Sequence, residues 1–490
     1  MEASRRKPMP TYSGSWALKN DCSLSDTWAS RFPLNNSRSC TIVLLLKRGM
    51  VGKRSNGYTH ASPKTKEKSA SRIVSPRTKL SPTGTSGHWK RNMTRIGLAD
   101  IFDVTKFGAR GNGQVDDSQA FLQAWGKACE SSSISTMLVP GGKTYLLIPI
   151  QFKGPCKGPS IQVQIDGILL APSIRSQWKD CPDNTWIAFS QIIGLHINGK
   201  GKLNGQGLSW WKTNPRNNYN QWNQKESPCT KSTSFCSKAS TGIRFIGCNN
   251  LVLSGLTHIN PPSRHINIYG CQNVQISHLT ITAPANSPNT DGIGISSSSN
   301  VRITDSFIGT GDDCVAISTG STNIFVGGVQ CGPGHGISVG SLGQGGSSSN
   351  VDGVFVQNCT FTGTENGVRI KTWPGGKGYA RNITFTGIRL NNVKNSIIID
   401  QTYCQVAENC QDQAQAVQVS DVKYIGVQGT SATPQAIVLQ CSHHVPCKNI
   451  IFNRINITSS TKGNALASCK NAVVSIQTAI SPNVSCISAI

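Results

Sequence analysis

The sequence predicts an all-β solenoid of the parallel β-helix type, from a repeated motif, from the composition between its copies, and from the spacing of four polar clusters. The motif is an asparagine followed by apolar residues at the next and the third positions. Successive copies are separated by 23, 27, 23, 27 and 32 residues, a periodicity typical of stacked repeats. The copies begin at Asn250, Asn273, Asn300, Asn323 and Asn382, with a degenerate copy at Asn350.

The segments between these asparagines contain short runs of Val, Ile, Thr and Phe bounded by Gly, Asn and Ser. This composition favours strands that are joined by turns. Coils of a parallel solenoid stack at the interstrand distance of roughly 4.8 Å, so equivalent positions on neighbouring coils line up. We therefore expect side chains one coil apart in sequence to lie side by side in the fold.

Four short polar clusters follow one another along the second half of the chain. The steps from 291 to 312, 313 to 335, 335 to 369 and 371 to 403 are 21, 22, 34 and 32 residues, each close to one coil. The distance of each cluster from the preceding repeat asparagine varies, so insertions such as 283–288 must absorb the difference. Stacking would gather the polar side chains on one face. They are Asn289, Asp291, Asp312, Asp313, His335, Arg369 and Lys371, with Tyr403 one coil further on.

Three carboxylates, a histidine and two cations are the groups needed to cleave a glycosidic bond in an acidic sugar polymer. One group protonates the leaving oxygen, another activates water, and the cations bind the carboxylates of the substrate. Three like charges in a small site should raise the pKa of at least one carboxyl, which makes a proton donor at mildly acidic pH. Adjacent Asp312 and Asp313 can both act only on a bend, which Gly309 and Gly311 favour.

Each cluster also has a simpler interpretation. Gly-Asp-Asp is common in turns, and His335 could be a turn histidine, although the glycines on both sides would let a ligand approach closely. Arg369 and Lys371 alternate with Ile370, so both should project from one strand face while Ile370 points inward. Without a role they would be an exposed ladder pair. The combination of all these groups is what favours a catalytic site.

The first part of the chain, residues 1–98, differs in composition from residues 99–490. Residues 1–100 contain 19 Lys and Arg against 5 Asp and Glu, and are rich in Ser and Thr. We predict a disordered basic tail at 1–98 and a single β-helix domain at 99–490. Organelle or nucleic-acid targeting by the tail is an alternative, but we favour a solvated arm and expect no nucleic-acid partner. No apolar core of a secretory signal and no stretch of transmembrane length is found, so we expect no membrane partner.

Cysteine usage indicates an oxidising compartment, because 16 of the 18 cysteines follow residue 100. Cys404 with Cys410, and Cys441 with Cys447, have the spacing of small disulfide loops. A zinc site at 441–447 is an alternative, but its spacing matches no common zinc motif. Glycosylation sequons agree with secretion and begin at Asn358, Asn382, Asn456 and Asn483.

Further motifs accompany the four clusters. They are the segment 103–111 (DVTKFGARG) with Asp116 and Asp117, the segment 205–207 (GQG) with Trp210 and Trp211, and the segment 401–404 (QTYC). On these residues the chain from Asp103 onward resembles the plant-type polygalacturonases, pectin-degrading glycoside hydrolases with a right-handed parallel β-helix. The resemblance covers about four fifths of the chain.

This resemblance implies inverting hydrolysis of α-1,4-linked galacturonan without a metal or an organic cofactor. Asp312 would be the general acid, Asp291 and Asp313 would activate the water, and His335 would support the acid. The substrate would be bound by Asn289, Arg369, Lys371 and Tyr403. We accordingly expect a secreted monomer of the extracellular space or cell wall whose partner is an acidic polysaccharide.

Other functions remain open at this point. A related hydrolase could act on substituted or rhamnose-containing pectin. A pectate lyase would need calcium, which clustered aspartates could bind, and a strongly basic catalytic arginine. A non-catalytic β-helix would only bind wall polysaccharide. Endo or exo attack depends on loops at the ends of the groove, which the sequence does not define.

Overall fold

The computed structural model describes residues 100–179, 181, 184–211, 238–404 and 411–487. In this part of the chain the strands form two sheets, of 22 and 12 strands, and neighbouring strands pair in parallel. This arrangement confirms the predicted parallel β-helix. The predicted tail at 1–98 lies outside the described residues.

The first third of the solenoid contains short strands from both sheets. They are β1 (Asp100–Asp103), β2 (Asn112–Asp116), β3 (Ser135–Val139), β4 (Thr144–Leu146), β5 (Ile150–Lys153), β6 (Ile161–Ile165), β7 (Ile168–Leu170), β8 (Thr185–Ser190), β9 (Leu195–Asn198), β10 (Lys202–Asn204), β11 (Thr241–Ile246) and β12 (Leu251–Ser254). The central strands follow the same rhythm. They are β13 (Thr257–Ile259), β14 (Ile266–Tyr269), β15 (Gln272–Ser277), β16 (Thr280–Thr282), β17 (Ile293–Ser296), β18 (Ser299–Thr304), β19 (Phe307–Gly309), β20 (Val315–Ile317), β21 (Ser321–Gly327), β22 (Gln330–Cys331) and β23 (Ile337–Leu342).

Several strands of the last third are longer. The strands are β24 (Ser348–Gln357), β25 (Thr360–Thr362), β26 (Asn366–Thr372), β27 (Lys377–Val393), β28 (Asn395–Asp400), β29 (Gln418–Ser431), β30 (Gln435–Gln440), β31 (Cys447–Ser459), β32 (Leu466–Lys470), β33 (Ala472–Ile476) and β34 (Cys486–Ile487).

Helices are few in the described chain. Two are α-helical, α1 (Ser118–Glu130) and α2 (Leu208–Trp211), and three are short 3₁₀ turns at Val104–Phe107, Arg175–Gln177 and Gln344–Gly346. The amphipathic α1 packs its apolar face against β1, β3 and β5, which covers the end of the solenoid interior. Among the described helices, none has the length and hydropathy needed to cross a membrane.

The 12-stranded sheet carries the polar clusters, and its strands follow one another from β5 through β8, β11, β14, β17, β20, β23, β26, β28, β30 and β32 to β34. Inward positions form continuous apolar rows, because each residue faces its equivalent on the next coil. One such row contains Ile243, Ile266, Ile293, Val315 and Ile337, all of them buried. These rows fix the register, so the outward side chains between them are also aligned.

The repeat asparagines form a ladder along one turn of the solenoid. Each adopts a left-handed backbone conformation, with φ of 55° at Asn250, 57° at Asn273, 55° at Asn300 and 54° at Asn323. The side-chain amide of each donates to the side-chain oxygen of the one before it, at 3.0, 3.0 and 3.2 Å. Asparagine suits this position because it tolerates the left-handed region and bonds locally.

The degenerate copy has a different register from the one suggested by its asparagine. The pairing of β21 with β24 aligns Asn323 with Gly353, not with Asn350. Gly353 has a φ of 74°, so glycine replaces asparagine where the left-handed conformation is needed.

The disulfides whose two cysteines are both described are Cys129–Cys156, Cys314–Cys331, Cys441–Cys447 and Cys469–Cys486. The predicted Cys441–Cys447 bridge is confirmed over the zinc alternative. Of the other predicted pair, Cys410 lies outside the described residues. Three described cysteines are free and buried, namely Cys248, Cys271 and Cys359.

Candidate active site

The polar clusters lie on adjacent coils because they occupy the turns that enter β17, β20 and β23 and the outward face of β26. Asp291 precedes β17, Asp312 and Asp313 precede β20, and His335 precedes β23. Backbone hydrogen bonds link these turns directly: the amide of His335 donates to the carbonyl of Asp312, and that of Gly292 to the carbonyl of Asp313. The predicted gathering of the clusters on one face is therefore observed.

Asp312 and His335 form one contact of the site. Nδ1 of His335 lies 3.0 Å from Oδ1 of Asp312, and the Asp312 side chain is 21% exposed. This hydrogen bond to the Asp312 carboxyl raises the pKa of His335, although burial opposes the shift. Glu365 lies further off, with an oxygen 3.9 Å from Nε2 of the same ring. The predicted bend also exists, since Asp312 and Asp313 lie in the non-strand segment between β19 and β20.

Asp313 is held by two cations on β26, which is separated from β20 by β23 in the sheet. Its Oδ1 accepts from Nη2 of Arg369 at 2.6 Å, and its Oδ2 accepts from Nζ of Lys371 at 2.8 Å. Ser338 completes the cluster, because its hydroxyl donates to Asp313 Oδ1 at 2.8 Å and accepts from Arg369 Nε at 2.9 Å. Burial alone would raise the pKa of Asp313, but Lys371 and Arg369 outweigh it and hold that pKa at about 2. Asp313 is therefore ionised at mildly acidic pH.

The predicted alternation along β26 is confirmed, and the exposed-pair interpretation is wrong. Ile370 is fully buried on the inward side, while Arg369 and Lys371 are only 8% and 7% exposed. Both point to the carboxylate side because residues at i and i+2 share a strand face. Ser338 was not singled out from the sequence. Its register opposite Arg369 is the signal that only the strand pairing provides.

Asp291 is paired with a cation that the sequence analysis also missed. Nε of Arg264 lies 3.4 Å from Oδ2 of Asp291, whose side chain is 9% exposed against 45% for Arg264. Burial raises the pKa of Asp291 to about 7, with Arg264 opposing the shift and the charge of Asp312 adding to it. The expectation that one carboxyl of the group would have a raised pKa is met, and that carboxyl is Asp291.

Asn289 and Tyr403 lie at the edges of this cluster. Asn289 has a left-handed φ of 55°, and its carbonyl accepts from the Ser263 hydroxyl at 3.3 Å. Tyr403 follows β28, and its ring centroid lies 5.3 Å from Nζ of Lys371. The described contacts thus bring Asp312 to His335, Asp313 to Arg369 and Lys371, and Lys371 to Tyr403, while Asn289 lies two positions before Asp291 in the segment that enters β17.

Asp312, Asp313 and His335 have ligand atoms within 4.8 Å of one another, the spacing of a metal site. Both oxygens of Asp313, however, already accept hydrogen bonds from cations. A divalent cation would have to displace or approach Arg369 and Lys371, so the donor set fits calcium or zinc poorly.

A model of the family described as glycosyl hydrolases family 28 matches residues 129–481. A protein of Arabidopsis thaliana named probable polygalacturonase is 47% identical over 368 residues, which is 75% of each chain. A polygalacturonase of Malus domestica is 43% identical over 385 residues, covering 78% of this chain and 79% of its own. Among solved structures, a hyperthermoactive exopolygalacturonase from Thermotoga maritima superposes with a TM-score of 0.62 at 20% identity, covering 79% of this chain and 91% of that one, and so shares the fold.

The same fold, the length of the family match and the identity to the plant sequences agree with one another. On these grounds the chain belongs to glycosyl hydrolases family 28.

Proposed function

We propose that this chain hydrolyses α-1,4-galacturonosidic bonds of de-esterified pectin with inversion at the anomeric carbon. The observation that carries the proposal is the set of three carboxyls in three electrostatic settings: Asp313 fixed as an anion, Asp291 with a raised pKa, and Asp312 bonded to His335. Acid and base roles in one site require environments that separate the carboxyls in this way. The polygalacturonase names of the plant relatives support the substrate class.

Asp312 is the general acid in this proposal because it is the most accessible of the three. Its side chain is 21% exposed, whereas those of Asp291 and Asp313 are 9% and 2% exposed. A proton donor must reach the leaving oxygen within hydrogen-bond distance. His335 positions this carboxyl.

The proton for Asp312 comes from Asp291 in this proposal. Burial and the charge of Asp312 raise the pKa of Asp291 to about 7, so Asp291 holds a proton at mildly acidic pH. Transfer of that proton to Asp312 leaves Asp291 as an anion, which joins Asp313 in activating a water. Such a water needs roughly 6.5 to 9.5 Å between acid and base, which is the arrangement that gives inversion.

The substrate is positioned by Asn289, Arg369, Lys371 and Tyr403. Arg369 and Lys371 form ion pairs with Asp313 in the free protein. In the proposed complex both cations contact a substrate carboxylate as well as Asp313. We expect a de-esterified polymer to bind better than a methyl-esterified one for this reason.

The proposal is tested by measuring reducing ends released from polygalacturonate by the wild type, by Asp312→Asn and by Asp352→Asn. Asp352 is a matched control, since it pairs with Arg381 on the surface away from the site. We expect Asp312→Asn to lose a factor of the order of 10² to 10⁴ in turnover with the fold retained, and Asp352→Asn to remain active. Unsaturated products or a calcium requirement would indicate a lyase, and binding without product would indicate a non-catalytic β-helix.

A second experiment separates the acid from the base. A nitrophenyl oligogalacturonide has a leaving group that needs no proton, so Asp312→Asn should recover most of its turnover on it while Asp291→Asn should not. Proton magnetic resonance of the first product should show inverted anomeric configuration. Recovery in Asp291→Asn alone would exchange the roles of Asp291 and Asp312.

A further inference from the structure

A surface cavity of about 350 Å³ lies on the 22-stranded sheet, whereas the polar clusters lie on the 12-stranded one. Its floor is formed by β21, β24 and β27, which pair in succession. The volume is within the range of small-molecule sites, roughly 300 to 1,000 Å³. The lining side chains used below are Asn323, Phe325, Phe355, Asn382 and Thr384.

One wall of this cavity is a stack of a cation and two aromatic rings. The guanidinium carbon of Arg302 lies 3.9 Å from the ring centroid of Phe325. The centroids of Phe325 and Phe355 are 5.9 Å apart, and their rings are inclined by 18°. Strand pairing aligns these three residues, so the stack runs along the solenoid. Its last ring, Phe355, is 37% exposed and is therefore accessible from solvent.

The row of stacked side chains continues at Thr384, which strand pairing aligns with Phe355. Threonine is much smaller than phenylalanine, so the residue beside the second face of Phe355 does not cover that face. Sugar rings have an apolar face of C–H groups that packs on aromatic side chains. A sugar ring held at this coil would therefore extend the stack by one member.

Thr384 is also the third residue of the glycosylation sequon Asn382-Ile383-Thr384. Ile383 is buried, while Asn382 is exposed and lines the same cavity as Thr384. The two polar residues share the outward side of β27 because they are two positions apart on a strand. The asparagine that a glycan would modify thus lies next to the accessible aromatic ring.

The asparagine ladder has a gap at this point. The neighbour of Asn382 on the preceding coil is Gly353, and a Cβ placed there would lie 3.1 Å from Oδ1 of Asn323. The amide of Asn382 instead donates to Oδ1 of Asp352 at 2.7 Å. A glycosylated amide keeps one proton, so this hydrogen bond is compatible with the modification.

We propose that Asn382 carries an N-linked glycan whose first N-acetylglucosamine ring packs on Phe355 and fills this cavity. In the attachment step Nδ2 of Asn382 forms a bond to the anomeric carbon of the sugar. The bond between that carbon and a lipid diphosphate breaks, and the amide proton leaves with the diphosphate. The step takes place in the secretory compartment, where the disulfides of the described chain also form.

The first experiment maps the modification by mass spectrometry of peptides from the full chain secreted by yeast. Asn382 should be glycosylated in the wild type and in Thr384→Ser, which keeps the sequon. It should be unmodified in Thr384→Val. An unmodified Asn382 in the secreted wild type would overturn the proposal.

The second experiment compares unfolding temperatures of the yeast protein with those of the same chain from a bacterial periplasm, which forms disulfides without adding N-glycans. Thr384→Val should lower the unfolding temperature of the yeast protein by about 2 °C and leave that of the periplasmic protein unchanged. Enzymatic trimming to a single N-acetylglucosamine should preserve the stability of the yeast wild type. A loss of stability on trimming would show that the first ring is not the one that packs.

Phe355→Ala tests the aromatic contact itself. It should lower the unfolding temperature of the yeast protein by about 2 °C more than that of the periplasmic protein. Phe307→Ala is the matched control, since Phe307 lies on the same sheet and is 40% exposed, and it should affect both forms equally. Equal effects of Phe355→Ala on the two forms would overturn the contact. Neither readout depends on hydrolysis, so failure of the proposed function would leave this test intact.

Discussion

Asp313 and Arg369 form a buried ion pair at 2.6 Å although they are 56 positions apart in the chain. The pair exists because three successive strands, β20, β23 and β26, stack in register with Ser338 between the two charges. It keeps Asp313 ionised at mildly acidic pH, and it also links separate coils of the solenoid.

Arg369→Gln should destabilise the protein by about 3 kcal/mol, because a buried carboxylate would retain only Lys371 as a partner. The pKa of Asp313, now about 2, should rise. A lowered carboxyl pKa stabilises the protein fully at pH values above the pKa of the unfolded state, and this stabilisation is lost as pH falls through the pKa of the folded state. The stability difference between the variant and the wild type should therefore shrink as pH falls from about 4 toward 2. Urea unfolding across this range provides the measurement.

The control for this variant is Arg381→Gln, which breaks an exposed Arg–Asp pair of similar length, 2.7 Å. Its unfolding midpoint should scarcely change, because solvent screens such pairs. If both variants were equally stable, the buried pair would contribute nothing beyond a surface contact.

Asp291→Asn should change the pH dependence of stability in the opposite sense. The pKa of Asp291 is raised to about 7 from 3.8, so the folded state holds a proton that the unfolded state releases between these values. The wild type should lose stability from this group as pH rises from about 4 to 7, by on the order of 4 kcal/mol, and the variant should not. A stability difference between the two proteins that stays constant with pH would contradict the raised pKa.

Two buried histidines, His258 and His265, should make the protein sensitive to acid. Burial lowers the pKa of His258 to about 4, and burial together with His258 lowers that of His265 as well. Stability from a lowered histidine pKa is present above about pH 6.5 and lost as pH falls toward 4. His258→Leu should remove about 3 kcal/mol of this loss, because the variant has no imidazole to protonate at this position. Leucine should fit there, since Leu203 and Ile281 occupy the same row on neighbouring coils.

Guanidinium unfolding at several acidic pH values compares this variant with the wild type, and the exposed His196→Gln serves as control. Because Asp291 acts in the opposite direction in part of the same range, each variant is compared with the wild type at every pH. If the free energy of unfolding fell equally with decreasing pH in His258→Leu and in the wild type, His258 would not be the group that titrates.

A chain that begins near Leu98 should fold and hydrolyse polygalacturonate as well as the full chain does. The predicted boundary is compatible with the first strand, which begins at Asp100, and with α1, whose Phe121 and Trp125 already cover the interior of the first coils. The basic residues before it could add a nonspecific attraction to a polyanion that fades with salt. Insolubility or inactivity of the shortened chain would place a capping role in the tail.

The sequence predicts those parts of the fold that depend on one coil at a time. The repeat asparagines predict the left-handed turn of each coil, and Arg-Ile-Lys predicts which side chains of β26 face outward. Contacts between coils are harder to predict from the sequence, because they depend on the number of residues in each turn. Arg264 and Ser338 were missed for this reason: neither belongs to a motif, and only strand register brings them to Asp291 and Asp313.

The Cys314–Cys331 disulfide joins the turn that carries Asp312 and Asp313 to the strand that leads to His335. The Asp312 carboxyl and the His335 imidazole thus lie on two segments that are covalently linked. Assembly of the proposed catalytic group therefore requires disulfide formation as well as folding. A newly synthesised chain in a reducing compartment lacks this disulfide, and the enzyme acquires it only in a compartment where thiols are oxidised.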